Sequence, residues 1–201
     1  MIVSDKYKFI FLGCPKTGST SIKVALLGNG EKMFYPTRFG AAQDHIKAVE
    51  FRKAIDPGKW NSYFKFSFVR NPWDRRVSLF FHHLGKEARE YKDTKNHFFR
   101  RYIVNRIPWF GYHYAYENTN KQIVDFIGRF ENLQEEFDKI CDTVGMKRIP
   151  LTKQRFQKGK NVYHYREYYK YRNGSYNEEL IGLVKNDSAV DINLFNYKFE
   201  R

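Results

Sequence analysis

The stretch Phe9-Ile10-Phe11-Leu12-Gly13-Cys14-Pro15-Lys16-Thr17-Gly18-Ser19-Thr20-Ser21-Ile22 decides how this chain is read. An apolar run over Tyr7–Leu12, rich in aromatic residues, predicts a buried strand. The run stops at Gly13, and a short loop of small and hydroxylated residues follows. From Ser19 to about Leu27 the pattern turns helical, with Ile22, Ala25 and Leu26 on the inner side and Gly28-Asn29-Gly30 as the stop signal. A strand–loop–helix turn of this kind aims backbone N–H groups and a helix N-terminus at one point, which suits an anion. Lys16 adds a full positive charge, and Thr17, Ser19, Thr20 and Ser21 add hydroxyl donors. The loop reads as a cradle for a phosphate-like group.

The nucleotide P-loop pattern places a lysine directly after its second glycine. Here Gly13 and Gly18 have that separation, but Ser19 stands in the lysine position and the lysine is Lys16. An ordinary ATPase or GTPase reading is weakened accordingly. A Cys-x5-Arg phosphatase loop fails because Thr20 stands where the arginine belongs. The plainer alternative is a glycine turn with no ligand, which would not need Lys, Thr, Ser, Thr and Ser crowded into six positions.

A length of 201 residues, 42% hydrophobic and 18% aromatic, predicts one folded domain over residues 1–201 with a sizeable core. No apolar run is long enough for a membrane helix, and the N-terminal residues carry no signal-peptide pattern. Two cysteines, Cys14 and Cys141, supply neither a disulfide framework nor a metal spacing, so a reducing cytoplasm is expected. The formal charge of +14 suggests an anionic partner, although a solvated basic face would look the same.

Outward from the loop, Gln43–Ile55 reads as a helix with His45 in its first turn, closed by Asp56-Pro57-Gly58. Tyr63–Val69 reads as a second strand, ending in Arg70-Asn71-Pro72-Trp73-Asp74-Arg75-Arg76-Val77-Ser78. Asn71 is a good N-cap, Pro72 a good first helical residue, and Asp74 complements the positive helix end. Trp73, Val77, Phe80, Phe81 and Leu84 form an apolar stripe, with Asn71, Asp74, Arg75 and Ser78 on another face. Phe98, Phe99, Tyr102 and Ile103 suggest a further helix, and Ile123–Phe130 a third strand leading to a helix that ends near Val144. Arg148–Tyr163 reads as a basic loop containing Lys158-Gly159-Lys160, and Asn177 to about Lys185 as a helix. The expected fold is α/β: a single P-loop-like domain with a mainly parallel central sheet flanked by helices. Ligands of such sheets bind at the carboxyl ends of the strands, and two strand ends, Gly13 and Arg70, carry anion-binding residues. For Arg70 the alternative is an ion pair with an acid such as Asp74.

Three segments in order resemble the sulfotransferases that use 3′-phosphoadenosine 5′-phosphosulfate (PAPS): residues 11–21, residues 68–78 and Ile127-Gly128-Arg129-Phe130-Glu131-Asn132-Leu133. Within these the chain is most similar to the carbohydrate group that includes heparan 2-O- and chondroitin or dermatan 4-O-sulfotransferases. The tail, with Tyr165-Arg166-Glu167-Tyr168-Tyr169 and residues 191–197, resembles the end of that domain. The resemblance implies that Lys16, Thr17, Gly18, Ser19, Thr20 and Ser21 hold the 5′-phosphosulfate, with Lys16 also acting in catalysis. It implies that Arg70 and Ser78 hold the 3′-phosphate, that Lys158, Gly159 and Lys160 cover the nucleotide, and that His45 is the catalytic base. The membrane anchor of animal members is not found, which points to a cytoplasmic enzyme of bacterial or viral origin.

The residue kinds suit in-line sulfuryl transfer to an alcohol. Negative charge builds on the bridging oxygen of the leaving phosphate, where Lys16 and loop N–H groups would stabilise it. The acceptor hydroxyl must lose a proton, and a histidine, with an ordinary pKa of about 6.5, is a suitable base. The main rival to His45 is His82-His83, ahead of His97, His113 and His164, while Glu50 or Asp44 would serve as base or orient the histidine. No metal is expected, because two cationic clusters already neutralise the donor. The expected acceptor is a carbohydrate hydroxyl, possible acidic glycans included, and the product is 3′-phosphoadenosine 5′-phosphate (PAP). Two other classes stay open: a nucleotide or sugar kinase, which needs a lysine after Gly18 and a metal carboxylate, and a non-enzymatic basic nucleic-acid-binding protein. The last leaves the loop and the Arg70–Ser78 pairing unexplained.

Overall fold

A computed structural model describes residues 1–34, 45–84, 95–104, 111–118, 121–152, 164–171 and 173–201. The chain divides into two compact units, residues 1–70 with 111–156 and residues 71–110 with 157–201.

The first unit is built on a five-stranded sheet. Its strands are β1 (Ile2–Ser4), β2 (Phe9–Leu12), β3 (Lys32–Met33), β4 (Phe64–Val69) and, after a small hairpin of β5 (Tyr116–Asn118) and β6 (Lys121–Gln122), β7 (Phe126–Arg129). The spatial order is β3-β1-β2-β4-β7. The centre is parallel: Leu12 pairs with Ser67, Ser67 with Ile127, and Val69 with Arg129. The first two strands form an antiparallel extension with β3. Helices α1 (Ser19–Gly28), α2 (Ala48–Arg52), α3 (Pro57–Ser62) and, further along the chain, the helix Leu133–Thr143 flank this α/β sheet.

Strand β2 is buried along its whole length, and its residues alternate between two cores. Ile10 and Leu12 pack with Phe51, Trp60 and Tyr63, whereas Phe9 and Phe11 pack with Ile22, Leu26, Phe66, Phe68 and Phe137. Burial on both faces is why the strand reads as an unbroken apolar run rather than an alternation. Gly128 lets β7 approach β4: a Cβ there would lie 2.4 Å from the Phe68 ring.

Three expectations change. The strands β1 and β3, three and two residues long, add an antiparallel edge that the sequence pattern does not predict. Asp56-Pro57-Gly58 starts a helix rather than closing one: Asp56 accepts a hydrogen bond from the Lys59 N–H at 2.8 Å, and Pro57 is the first residue of α3. The helix expected over 43–55 spans Ala48–Arg52 among the described residues, and Lys47 before it is extended.

In the second unit, α4 (Pro72–Leu84) follows β4 directly, capped by the Asn71 side chain, which accepts from the Trp73 N–H at 3.1 Å. Then come α5 (Lys95–Val104), and, after the helix Leu133–Thr143 of the first unit (α6), α7 (Glu178–Asp187) and α8 (Ala189–Phe195). The core is aromatic: Phe80 meets Phe99 at 5.3 Å and Tyr102 at 5.5 Å. The Tyr169 hydroxyl donates to the Trp73 carbonyl at 3.1 Å, and its burial pushes the phenol well above its ordinary value. The α4 stripe of Trp73, Val77 and Phe80 is buried as expected, but Arg75, assigned by the periodicity to another face, is buried too, as is Arg76. Arg76 pairs with Asp187 at 3.1 Å and Arg75 with Asp191 at 3.8 Å, which is how that face tolerates burial.

Candidate active site

The loop after β2 is tightly folded. Lys16 has φ 65 and Gly18 has φ 79, so two left-handed residues bend a six-residue turn. Turns of this type gather successive N–H groups into an anion-binding concavity. Gly18 is the N-cap of α1 and makes no side-chain cap hydrogen bond, and the first turn of α1 contains no acid. The positive helix end is therefore left for an external anion. Only glycine suits position 18, because besides its φ a Cβ would lie 2.5 Å from Leu133 Cδ2.

The loop residues do not all face outward. Thr17 is buried, and its hydroxyl donates to the Cys14 carbonyl at 2.9 Å, closing the turn from inside. Ser19 is buried, while Lys16, Thr20 and Ser21 are half-buried. Ser67, the polar residue in an otherwise aromatic strand, donates to the Leu12 carbonyl at 2.7 Å and ties β4 to the end of β2. Lys23 is buried one helical turn after Ser19, and its Cε lies 3.6 Å from where a Gly13 Cβ would be, so its stem runs back toward the loop.

Two residues distant in sequence meet this loop. The Arg70 guanidinium donates through Nη1 to the Lys16 carbonyl at 3.0 Å and stacks 4.0 Å from the centre of the Phe130 ring. Nδ1 of His45 lies 2.7 Å from the Gly13 carbonyl oxygen. A carbonyl can only accept, so Nδ1 carries the proton, and in the neutral ring Nε2 is then the acceptor. His45 lies in the segment ahead of α2, not in a helical turn. The partner of its Nδ1 is thus a main-chain carbonyl 32 positions away, while Glu50, half-buried, pairs with Lys53 at 3.5 Å. Asp44, the other acid considered, lies outside the described residues. Of the rival histidines, His82 is exposed on α4.

Lys16, Thr17, Gly18, Ser19, Thr20, Ser21, His45 and Arg70 all belong to the first unit, around the carboxyl ends of its parallel strands. Ser78 belongs to the second unit, buried on α4. Lys158, Gly159 and Lys160 lie outside the described residues. Among the described residues no group of three or more His, Cys, Asp or Glu side chains is gathered for a metal ion, and no helix is long and apolar enough to cross a membrane. The sequence reading missed Ser67, Lys23 and Phe130 as parts of this site. A lone serine in a buried strand and a lysine four positions after Ser19 were available signals; Phe130 carried none.

A family model described as the sulfotransferase family matches residues 1–198. The chain belongs to the sulfotransferase family. A protein of Archaeoglobus fulgidus described as uncharacterized is 26% identical to it over 112 residues, which are 50% of this chain and 83% of that one. The crystal structure of a sulfotransferase from Alicyclobacillus acidocaldarius is similar over 96% of both chains, at 14% identity and a TM-score of 0.42. Membership of the family makes sulfuryl transfer the chemistry against which the loop is judged.

Proposed function

We propose that this protein is a PAPS-dependent O-sulfotransferase whose acceptor is a carbohydrate hydroxyl, and that both units act as one catalytic domain. The observation that carries the reading is the convergence of Arg70 and His45 on the main chain of the Gly13–Gly18 loop, from 54 and 32 positions away. Strand-end cations around an uncapped helix N-terminus fit a donor with two anionic groups. In this reading Lys16, the loop N–H groups and the hydroxyls of Ser19, Thr20 and Ser21 hold the 5′-phosphosulfate, with Thr17 keeping the loop shut. Arg70 and Ser78 hold the 3′-phosphate, and Lys158-Gly159-Lys160 cover the nucleotide.

The donor supplies an activated sulfuryl group. Lys16 offsets charge on the leaving oxygen, an interaction worth most in the transition state. His45, with its Nδ1 proton held by Gly13, offers Nε2 to the acceptor hydroxyl and removes its proton as the new S–O bond forms. No metal enters this scheme, because fixed cations supply the counter-charge. The surplus of basic residues, +14 overall, favours an acidic glycan among carbohydrates.

The test is binding of PAP against ATP and ADP by calorimetry without magnesium, on wild type and Arg70→Ala. Clear preference for PAP, lost in the variant, supports the reading. Acceptor screening then follows with His45→Ala as the inactive control, expected to lose about 10²–10⁴ in rate. Equal or better binding of ATP, or no loss in Arg70→Ala, overturns the reading and favours a kinase.

A further inference from the structure

Lys16 is a residue whose conformation needs support. It carries a side chain yet has φ 65, in the left-handed region that such residues occupy only where surroundings hold them. Its carbonyl oxygen accepts from Arg70 Nη1 at 3.0 Å. A charged donor makes this a stronger tie than a neutral one. The guanidinium plane is fixed in turn by the Phe130 ring at 4.0 Å. Phe130 begins the short 3-10 turn directly after β7, and β7 is in register with β4 through Val69 and Arg129. Loop, guanidinium and ring are therefore carried by three neighbouring parallel strands of one unit.

We propose, resting on the sulfotransferase reading above, that Arg70 is also a positioning residue for Lys16, so that the two anion subsites of the donor are energetically linked. A guanidinium presents its N–H donors in a fixed planar fork, and the bond to Lys16 is made by Nη1. In this proposal the same group braces the loop and takes a phosphate. An anion that settles Arg70 tightens the loop around Lys16, and an anion in the loop favours the braced pose of Arg70; binding linkage makes the two effects reciprocal. Lysine at position 70 would keep the charge but lacks the planar fork to stack on Phe130 and hold the carbonyl together.

Calorimetry at constant ionic strength, on wild type, Arg70→Ala and Arg70→Lys, tests this with three ligands: PAP, adenosine 3′-phosphate and adenosine 5′-phosphosulfate. The last has no 3′-phosphate, so an Arg70 that served only the 3′ subsite would not affect it. The brace predicts that both variants weaken adenosine 5′-phosphosulfate by at least about tenfold. It also predicts that Arg70→Lys recovers part of the adenosine 3′-phosphate affinity without recovering this loss. Unchanged 5′-phosphosulfate affinity alongside lost PAP affinity overturns the brace and leaves the donor assignment standing. A wild type that binds no PAP overturns the donor assignment and the brace with it. Hydrogen exchange on the wild type decides the matter if the variants do not fold: adenosine 3′-phosphate should slow exchange of the residue 13–18 amides, and no change there overturns the proposal.

Discussion

The carboxyl end of the sheet in the first unit and helix α4 in the second both hold cations away from full exposure, by different means. On α4, Arg76 and Arg75 are met by the carboxylates of Asp187 and Asp191. Burial pulls the Arg76 guanidinium below its ordinary value while Asp187 opposes the shift. Around the loop, Arg70 and His45 are oriented by the carbonyls of Lys16 and Gly13. A carboxylate cancels the charge it holds, so the α4 arginines serve stability. A carbonyl carries no formal charge, so these two contacts fix the direction of the Arg70 guanidinium and of the His45 ring without cancelling charge.

The largest expected effect breaks the α4 side of this contrast. Asp191→Ala leaves Arg75 buried without that carboxylate and should cost about 3–5 kcal/mol in urea denaturation. The double variant Arg75→Met/Asp191→Leu should recover most of the loss. A small loss in the single variant would mean that α4 does not depend on the pair.

The loop side should respond in the opposite currency. Lys16→Gly is expected to lower sulfuryl transfer by about 10²–10³. The same change relieves a left-handed lysine, so stability should hold or rise by up to about 1 kcal/mol. A fall in thermal midpoint alongside the activity would erase the distinction between the two regions.

Gly128→Ala sharpens it further, because Gly128 sets the approach of β7, and with it Phe130, to β4. A methyl 2.4 Å from the Phe68 ring should cost about 1–3 kcal/mol and weaken PAP binding. Loss of stability with PAP affinity intact would separate the sheet from the loop.

The smallest effect lies at the hairpin. Arg52 and Lys121 hold the Glu117 carboxyl near 2, below its ordinary 4.5. A depressed carboxyl stabilises the fold above pH 4.5 and loses that contribution as pH falls toward 2. Glu117→Gln should lower the urea midpoint at neutral pH by the small amount expected for an exposed pair, and the difference from wild type should vanish as pH falls toward 2. A pH profile unchanged by the substitution would show that these ion pairs do not hold the hairpin to α2.

The parts of this protein legible in its sequence are those written in neighbouring residues. Strand β2, the loop and α1 follow one another, and their periodicity and glycines declare them. Asn71 and Pro72 likewise announce α4. Misreadings came where local signals have two meanings: Asp56-Pro57 is both a breaker and a helix start, and short β1 and β3 owe their existence to pairing partners rather than to propensity. The positive charge of Lys16 and Arg70 and the hydroxyls of the loop were determined by the sequence, because charge and hydroxyl content belong to the residues themselves. That Thr17 turns inward, that Gly13 sets the proton on His45, and that Arg70 holds the Lys16 carbonyl were decided only by the tertiary structure. Each of these uses the direction of a main-chain carbonyl. Every residue has one, and only the folded backbone says where it points.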